Sequence, residues 1–303
     1  MVDSDPGHTD PLEAERARLH GLAYRLLGSM ADAEDAVQTA YTRWVALSEA
    51  ERAQIANPGA WLSTVVSRLC LDLQRSARVR REMYVGEWLP EPLPDDSALV
   101  GGRADLDPSE RVTIDESVSM AFMVMLESMT PPERVSFILH DVYRYAFAEI
   151  ADIVGKSPEA CRQLASSARR RVRSADAPVV KGDQASVIDS LMHSWEQQDI
   201  AGLIGVLAPE VRFVADGGGR VSAVLDPVDG AEAVARQLAE IRSMATGLRL
   251  EPHQVNGQAG LIARLNGEIV TVFAFEFAGP RVRRIFAVRN PDKLRTWHAG
   301  SRF

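Results

Sequence analysis

Cysteine and histidine are scarce in this chain, which has two cysteines and six histidines among 303 residues. Cys70 and Cys161 lie far apart, each within a helical pattern. Two such thiols build no disulfide framework and have no metal-ligand spacing. The sequence therefore predicts no metal site and no cofactor, and it favours a reducing compartment, the cytoplasm.

Long apolar runs are also missing. The segment Met1–Pro11 is polar and acidic and lacks the apolar core of a signal peptide. No stretch approaches the ~18 uninterrupted apolar residues of a membrane span, so we expect no membrane association. At 46% hydrophobic and 25% charged residues, the composition is that of globular domains. The length suits two or three domains at ~100–200 residues each.

Basic residues are fewer than acidic ones, 34 against 42, but they are concentrated in two segments. The net charge is −8, yet residues 74–81 hold four arginines and no acid, and residues 156–173 hold six basic residues against one acid. Residues 82–110 between them hold eight acids and one arginine. Local blocks decide which surfaces can meet phosphate, so the negative total does not exclude nucleic-acid binding.

The first two thirds of the chain show helical patterning. Apolar residues recur at helical spacing in residues 12–81, where Asn57-Pro58 has the form of a helix start. A proline-rich acidic linker follows over residues 82–112, and helical patterning resumes in residues 113–175. We expect two all-α domains joined by this linker.

The last 120 residues predict a different architecture. Residues 187–207 and 231–242 have helical patterns, and the later segments alternate strands with turns. This order predicts an α+β domain over residues 184–303, with helices packed on one face of a curved sheet. The expected strands are Val211–Val214, Val221–Leu225, Leu248–Val255, Leu261–Leu265, Glu268–Phe277 and Val282–Val288.

The segment Ala146–Arg173 has the pattern of a helix-turn-helix. A short helix, Phe147–Val154, ends at Gly155, and Ser157-Pro158 starts a second, arginine-rich helix. In such motifs the second helix enters the major groove, and its first residues meet base edges. We expect Arg162 and Gln163 to reach bases and the later arginines to meet phosphates. The predicted DNA-binding residues here are Ser157, Arg162, Gln163, Ser166, Arg169 and Arg170, with Arg171 and Arg173 as further phosphate contacts.

Two segments together resemble the extracytoplasmic-function sigma factors of RNA polymerase. Leu126–Arg173, with Pro132-Glu133-Arg134, resembles their domain that reads the −35 promoter element. Asp32–Gln38 resembles their polymerase-binding segment, and Trp61–Arg75 their helix for the −10 element. Arg68 departs from the pattern, because many relatives have asparagine there. The resemblance implies polymerase contacts by Asp32, Glu34, Asp35 and Gln38, and −10 contacts by Arg68, Arg75, Arg78, Arg80 and Arg81, with core RNA polymerase and promoter DNA as partners.

The C-terminal third resembles the SnoaL-like, cone-shaped extension of one group of these sigma factors. Three strings carry the resemblance: Tyr84–Pro92, Asp216–Arg220 and Asn290–Leu294. It implies regulation within the chain, in which the extension contacts the linker and the sigma domains. The implied contact residues are Tyr84, Trp88, Leu89, Pro90, Asp216, Gly217, Gly218, Gly219 and Arg220.

Physical reasoning supports a linker contact independently. Three consecutive glycines permit a tight turn and the close approach of another segment, and Trp88-Leu89-Pro90 is a rigid apolar anchor. We therefore expect Tyr84–Pro92 to dock near Asp216–Arg220. The alternative is that Asp216–Arg220 is only a hairpin turn between two strands. The acidic linker likewise has two interpretations, a mimic of nucleic acid in a basic polymerase channel or a solvated tether.

Two other function classes remain open at this stage. A ligand-sensing regulator would need only the helix-turn-helix and a pocket domain, and it leaves residues 32–38 and 61–81 unexplained. An enzyme would use an acid or base in the cone, where His193, Asp199, Asp216 and His253 are the candidates. These four form no recognisable catalytic constellation in the sequence, so we expect no enzyme and no catalytic residues. A small ligand in the cone is a further hypothesis.

Overall fold

The computed structural model describes residues 11–82, 84–94, 118–175 and 184–298. The chain forms two compact units. The first joins residues up to 77 with residues 131–165, and the second joins residues 78–130 with the chain from residue 166 onward. The side chains of Arg78, Arg80, Arg81 and Arg173 lie outside the description, as do most of the acidic linker residues.

Up to the first strand, the regular elements of the described residues are helices, as the sequence predicts. A π-helix, Ile138–Val142, continues the sixth helix. The predicted apolar segment 187–207 divides in two, because the side chain of Asp199 accepts a hydrogen bond from the Gly202 N–H and starts a new helix. The helices are α1 (Pro11–Leu27), α2 (Met30–Ala46), α3 (Glu49–Ala53), α4 (Pro58–Glu82), α5 (Met120–Glu127), α6 (Pro131–Phe137), α7 (Phe147–Val154), α8 (Pro158–Ala175), α9 (Gln184–Glu196) and α10 (Ile200–Val206).

Buried polar side chains hold the first unit together. The core of α1 includes Leu22 and Leu26, both fully buried. The carbonyl oxygen of Leu26, near the end of α1, accepts hydrogen bonds from Gln74 Nε2 at 2.8 Å and from Arg134 Nη1 at 2.9 Å. Helix ends leave carbonyls without partners inside the helix. The two side chains satisfy one of them and tie α4 and α6 to α1.

Within the described residues, six strands form a mixed sheet in the order β2-β1-β6-β5-β4-β3. The β1 and β6 strands are parallel, and the other neighbours are antiparallel. This confirms the predicted α+β class of the C-terminal domain. The elements are β1 (Leu207–Asp216), β2 (Val228–Asp229), α11 (Ala231–Met244), β3 (Arg249–Val255), β4 (Gln258–Leu265), β5 (Glu268–Ala278), β6 (Arg281–Val288), a 3-10 turn (Pro291–Lys293) and α12 (Arg295–His298).

The predicted strand Val221–Leu225 is wrong, so Asp216–Arg220 is not a tight hairpin turn that joins such a strand to β1. Residues 217–227 are turns and bends between β1 and β2. Val221 and Leu225 are 37% and 59% exposed. Their side chains therefore lack the burial that stabilises apolar residues in a strand. The partners of β1 are instead β2 and β6.

The sheet buries both of its faces, and different parts of the chain cover them. The α9, α10 and α11 helices cover one face, where Trp195 and Phe273 lie in the core. This confirms the expected helical layer. The other face is covered by Leu89 of the linker, by Met120 of α5 and by Trp297 of α12. Alternating side chains of each strand point to opposite faces, so the second face is a core in its own right.

Candidate nucleic-acid interface and linker-docking site

The helix-turn-helix forms as the sequence predicts. The α7 helix ends at Gly155, whose φ of 71° is left-handed and whose N–H donates to the Ala151 carbonyl. The Ser157 hydroxyl then accepts from the Ala160 N–H at 3.2 Å and starts α8. A left-handed glycine followed by a capped helix gives the sharp turn that such motifs need.

The α8 helix buries a stripe of small side chains against α7. Cys161 and Ala165 are fully buried, whereas Ala160 and Leu164 are half-buried beside them. Ile150 of α7 is fully buried as well. The small side chains of Cys161 and Ala165 leave room for α7 to approach, a feature that hydrophobicity alone does not indicate.

The predicted base-reading residues lie on the exposed side of α8. Arg162 is paired with Glu159 one turn earlier, and its guanidinium lies 5.4 Å from the centre of the Phe147 ring. Gln163 and Ser157 are exposed on the same first turns. Because these side chains carry no burial role, they are free to contact DNA without loss of core packing.

The arginines of the later turns of α8 divide into two kinds. Arg170 and Ser166 are exposed, and Arg169 is half-buried. Arg171 donates to the Ser128 carbonyl at 2.5 Å, at the end of α5. A cation at a helix C-terminus satisfies orphan carbonyls there, so in this state Arg171 has a structural contact in place of the expected phosphate.

The predicted polymerase-binding residues share one exposed face of α2. Ser29 starts the helix by accepting from the Asp32 N–H at 3.3 Å. Glu34, Asp35 and Gln38 are exposed, and Asp32 is half-buried. The opposite face, formed by Ala33, Ala36, Val37 and Ala40, is buried.

The α4 helix carries the residues predicted for the −10 element. Asn57 Oδ1 caps it by accepting from the Ala60 N–H at 3.0 Å, as the Asn57-Pro58 pair predicts. Trp61 is half-buried and packs against Trp44 with ring centres 5.4 Å apart. Arg75 is exposed and pairs with Asp72 at 3.3 Å. Arg68 is exposed as well, and the side chains of Arg78, Arg80 and Arg81 lie outside the described residues.

Arg68 has a contact that the sequence does not indicate. Its Nη2 donates to the main-chain carbonyl of Asp152 in α7 at 2.9 Å. Nearby, Arg18 of α1 donates to the Tyr145 hydroxyl at 3.1 Å, and Arg25 donates to the Tyr143 hydroxyl at 3.3 Å. The two partners of each of these hydrogen bonds are 84 or more positions apart in the sequence. No local sequence pattern therefore predicts the pairing.

Asp216, the last residue of β1, joins the linker to the C-terminal domain. Its carboxylate is fully buried and accepts from the Tyr84 hydroxyl at 2.6 Å and from the Leu89 N–H at 2.9 Å. It also accepts from the Gly218 N–H at 3.0 Å. The structure thus brings the predicted segments Tyr84–Pro92 and Asp216–Arg220 together.

Lys293 supplies the countercharge for Asp216. The sequence alone gives this lysine no individual role. Its Nζ lies 2.6 Å from Asp216 Oδ2 and 2.5 Å from the Leu89 carbonyl oxygen. The same ammonium sits 4.1 Å from the centre of the Trp88 ring, a cation–π distance. A buried carboxylate needs such a partner, and the string Asn290–Leu294 was the available signal.

Asn290 and Gly218 shape the other side of this contact. Asn290 Nδ2 donates to the Tyr84 hydroxyl at 2.8 Å. Burial and the hydrogen bond to Asp216 raise the pKa of Tyr84, so it remains a neutral donor. Gly218 has a φ of 63°, and a Cβ there would lie 2.3 Å from Asn290 Nδ2. Only glycine fits this position without displacement.

The rest of the linker segment continues along the sheet. Leu89 and Leu93 are buried, and Leu93 exchanges two hydrogen bonds with Asn256. Trp297 Nε1 donates to the Pro92 carbonyl at 2.9 Å. Pro90 is buried with them, whereas Trp88 is half-buried. Arg220 is exposed and pairs with Asp292 at 2.7 Å, and it makes no hydrogen bond or ion pair with the described linker residues.

The four candidate acid–base residues do not converge. His193 and Asp199 are exposed on the helical layer, and Asp199 serves as the cap of α10. His253 is exposed and lies against the Trp297 ring at 5.2 Å, while Asp216 is occupied by the linker. Among the residues described, no group of three or more His, Cys, Asp or Glu could hold a metal ion. Over the same residues, no helix is long and apolar enough to cross a membrane.

Two family models match the chain, one over the N-terminal helices and one over the helix-turn-helix. The model for sigma-70 region 2 matches residues 12–80, which include the α2 and α4 surfaces. The model for sigma-70 region 4 matches residues 119–172, which include the helix-turn-helix.

Full-length relatives extend the likeness to the C-terminal domain. The chain is 38% identical over 300 residues to the ECF RNA polymerase sigma factor SigJ of Mycobacterium tuberculosis, covering 93% of this chain and 91% of the relative. It is 33% identical over 286 residues to the probable ECF sigma factor SigI of the same species, covering 93% and 92%. The crystal structure of M. tuberculosis SigJ superposes with a TM-score of 0.72 at 34% identity, over 93% of this chain and 96% of that one. This chain therefore belongs to the extracytoplasmic-function sigma factors of the sigma-70 family.

Proposed function

We propose that this protein binds core RNA polymerase and directs transcription initiation at specific promoters, under the control of its own C-terminal domain. The observation that carries the proposal is the exposed, capped α8 helix of a chain in which both sigma regions occur in order. A helix-turn-helix alone would suit any regulator. The preceding sigma region favours a factor that works on the polymerase, in the cytoplasm.

The α2 helix is the proposed polymerase contact. Three of its acidic or amide side chains, Glu34, Asp35 and Gln38, face solvent while its small apolar residues face α1. With Asp32, they form a surface that can bind a basic partner without disturbing the core. Electrostatic complementarity of this kind favours a fast and specific encounter.

Promoter reading is divided between two helices in this proposal. Arg162 and Gln163 of α8 read base edges of the −35 element, with Ser157, Ser166, Arg169 and Arg170 as backbone contacts. Arg68 and Arg75 of α4 approach the −10 element, with the arginines of residues 78–81 beyond them. Since Arg68 donates to Asp152, it must leave α7 before it contacts DNA.

The docked linker is the proposed route of regulation. The segment 84–94 and Met120 of α5 lie against the same sheet face. The C-terminal domain therefore holds both ends of the intervening chain, residues 95–117. By holding those ends, it limits the distance over which the two sigma regions can separate on polymerase.

Initiation with purified core polymerase tests the proposal. Wild-type protein should support promoter-dependent run-off transcripts, and the charge reversal Asp35→Lys should abolish core binding. Glu240→Lys, an exposed reversal on α11, is the matched control and should bind normally. Failure of the wild-type protein both to bind core polymerase and to initiate would contradict the proposal.

A further inference from the structure

A cleft of about 420 Å³ lies beside the docked linker, between Val85-Gly86 and the loop of residues 217–225. It is distinct from the interior of the α+β domain, which is filled by side chains such as Trp195, Phe213 and Phe273. Its volume falls within the range of small-molecule sites, ~300–1,000 Å³. The cleft is open to solvent.

Exposed apolar side chains are concentrated around this cleft. Of the large hydrophobic residues that are exposed in the described chain, Val85, Val221 and Leu225 line it, at 55%, 37% and 59% exposure. The remaining three, Val45, Ile204 and Met244, are scattered over helices. A contiguous apolar surface at a concave site is typical of a binding site, whereas single exposed residues are not.

Arg220 gives the cleft a positive edge. It lines the cleft and shares the one carboxylate of Asp292 with Arg295, so these three groups together carry a net positive charge. Arg289 does not line the cleft, but it donates to the carbonyl of Ser222, a lining residue. A carboxylate placed beside Arg220 would offset the excess positive charge.

We propose that this cleft binds a small monocarboxylic acid with an apolar body. The apolar part lies against Val85, Val221 and Leu225, and the carboxylate faces Arg220. Because one wall belongs to the linker and the other to the loop after Asp216, the site is complete only while the linker is docked. A bound ligand therefore favours the docked state, which is an input to the regulation proposed above.

Calorimetric titration of the full-length protein, without polymerase, tests the site directly. The probe is 4-phenylbutanoate, and its uncharged match is 4-phenylbutanamide. The acid should bind at low millimolar concentration or tighter, and the amide at least about tenfold more weakly, or ~1.4 kcal/mol. Absence of binding by the acid, or equal binding of acid and amide, overturns the proposal.

Variants locate the binding. Leu225→Asp, at an exposed position, should weaken binding of the acid about tenfold, and Arg220→Gln should do the same. Ile204→Asp and Arg236→Gln are the matched controls on the helical layer and should bind as wild type. Equal affinity in the cleft variants and the controls overturns the assignment to this cleft.

The dependence of ligand binding on the docked linker is tested with a separate variant. Trp88 does not line the cleft, yet Trp88→Ala should weaken the acid because it loosens the wall that carries Val85. Unchanged affinity in this variant overturns the coupling. Since these titrations need no polymerase, they remain decisive if initiation fails, and initiation by wild type with no binding of the acid contradicts this inference alone.

Discussion

The helix-turn-helix and the Asp216 contact both rest on charged residues, but they use charge in opposite ways. Arg162 is 58% exposed in its side chain and pairs with a neighbour one turn away. Asp216 is fully buried and pairs with Lys293, 77 positions along the chain. An exposed charge costs little to maintain and is available to a ligand. A buried charge is expensive unless paired, so its partners become fixed parts of the fold.

The largest effect is expected at the buried charge. Asp216→Asn removes the carboxylate charge 2.6 Å from the mostly buried Lys293 ammonium and weakens the bonds from Tyr84 and Leu89. Removing one partner of a buried pair costs about 3–5 kcal/mol. Urea unfolding of the full-length protein should show this loss in the free energy of unfolding of the C-terminal unit.

A second substitution sharpens this result. If the cost arises from the loss of this ion pair, Lys293→Met in the Asp216→Asn background should restore part of the stability. A single Asp216→Asn variant as stable as wild type would show that the pair is not buried in solution.

The apolar half of the contact is expected to have the next largest effect. Leu89 is 2% exposed against the second sheet face, and Leu89→Ala should lower the free energy of unfolding by about 2–4 kcal/mol. Val85→Ala is the control in the same segment, at 55% exposure, and should change it by less than about 0.5 kcal/mol. Equal effects at the two positions would mean that the segment is not docked.

Local patterns predict one of these regions much better than the other. Gly155 and Ser157 stand next to the helices they delimit, so α7 and α8 could be located from the sequence, and the exposed position of Arg162 follows from helical periodicity. The apolar string at Trp88 and Leu89 predicts that the linker docks. It does not reveal Lys293, because a pairing across 77 positions leaves no local pattern.

One error and one contact that the sequence does not indicate have the same physical origin. The segment Val221–Leu225 has strand propensity, but burial and pairing decide strands, and these residues face solvent. The donation from Arg68 to Asp152 is set by tertiary packing of α4 against α7. The site residues on exposed faces stay predictions, since exposure is what a DNA or polymerase contact requires but does not by itself demonstrate one.

An intermediate effect, on DNA binding and not on stability, is expected at α8. Arg162→Ala should leave the free energy of unfolding within about 0.5 kcal/mol of wild type. Loss of a base contact costs ~1–3 kcal/mol of discrimination, so run-off transcription from a matched −35 element should fall about tenfold. Arg236→Ala is the exposed control on α11. A large loss of stability in Arg162→Ala would mean that Arg162, like Asp216, is part of the folded core, which contradicts the comparison.

The smallest effect is expected at Asp292. Hydrogen bonds from Arg220, then from Arg295, hold the pKa of this exposed carboxyl below its ordinary value. Its contribution to stability is therefore present above the ordinary pKa and is lost as the pH falls through the lowered one. Asp292→Asn should barely change thermal unfolding at neutral pH, and the difference should vanish in acid. A large difference in thermal unfolding at neutral pH would mean that Asp292 stabilises the fold as much as the buried residues around Asp216 do.

Run-off transcription by full-length variants with core polymerase tests the central claim most directly. A truncation after Arg173 would remove the sheet against which Leu89 and Met120 pack, so point variants are the cleaner probes. Trp88→Ala and Asp216→Ala should bind core polymerase as wild type does, yet give altered levels of promoter-dependent transcript. Transcript levels equal to wild type in both variants would contradict control of initiation by the docked linker.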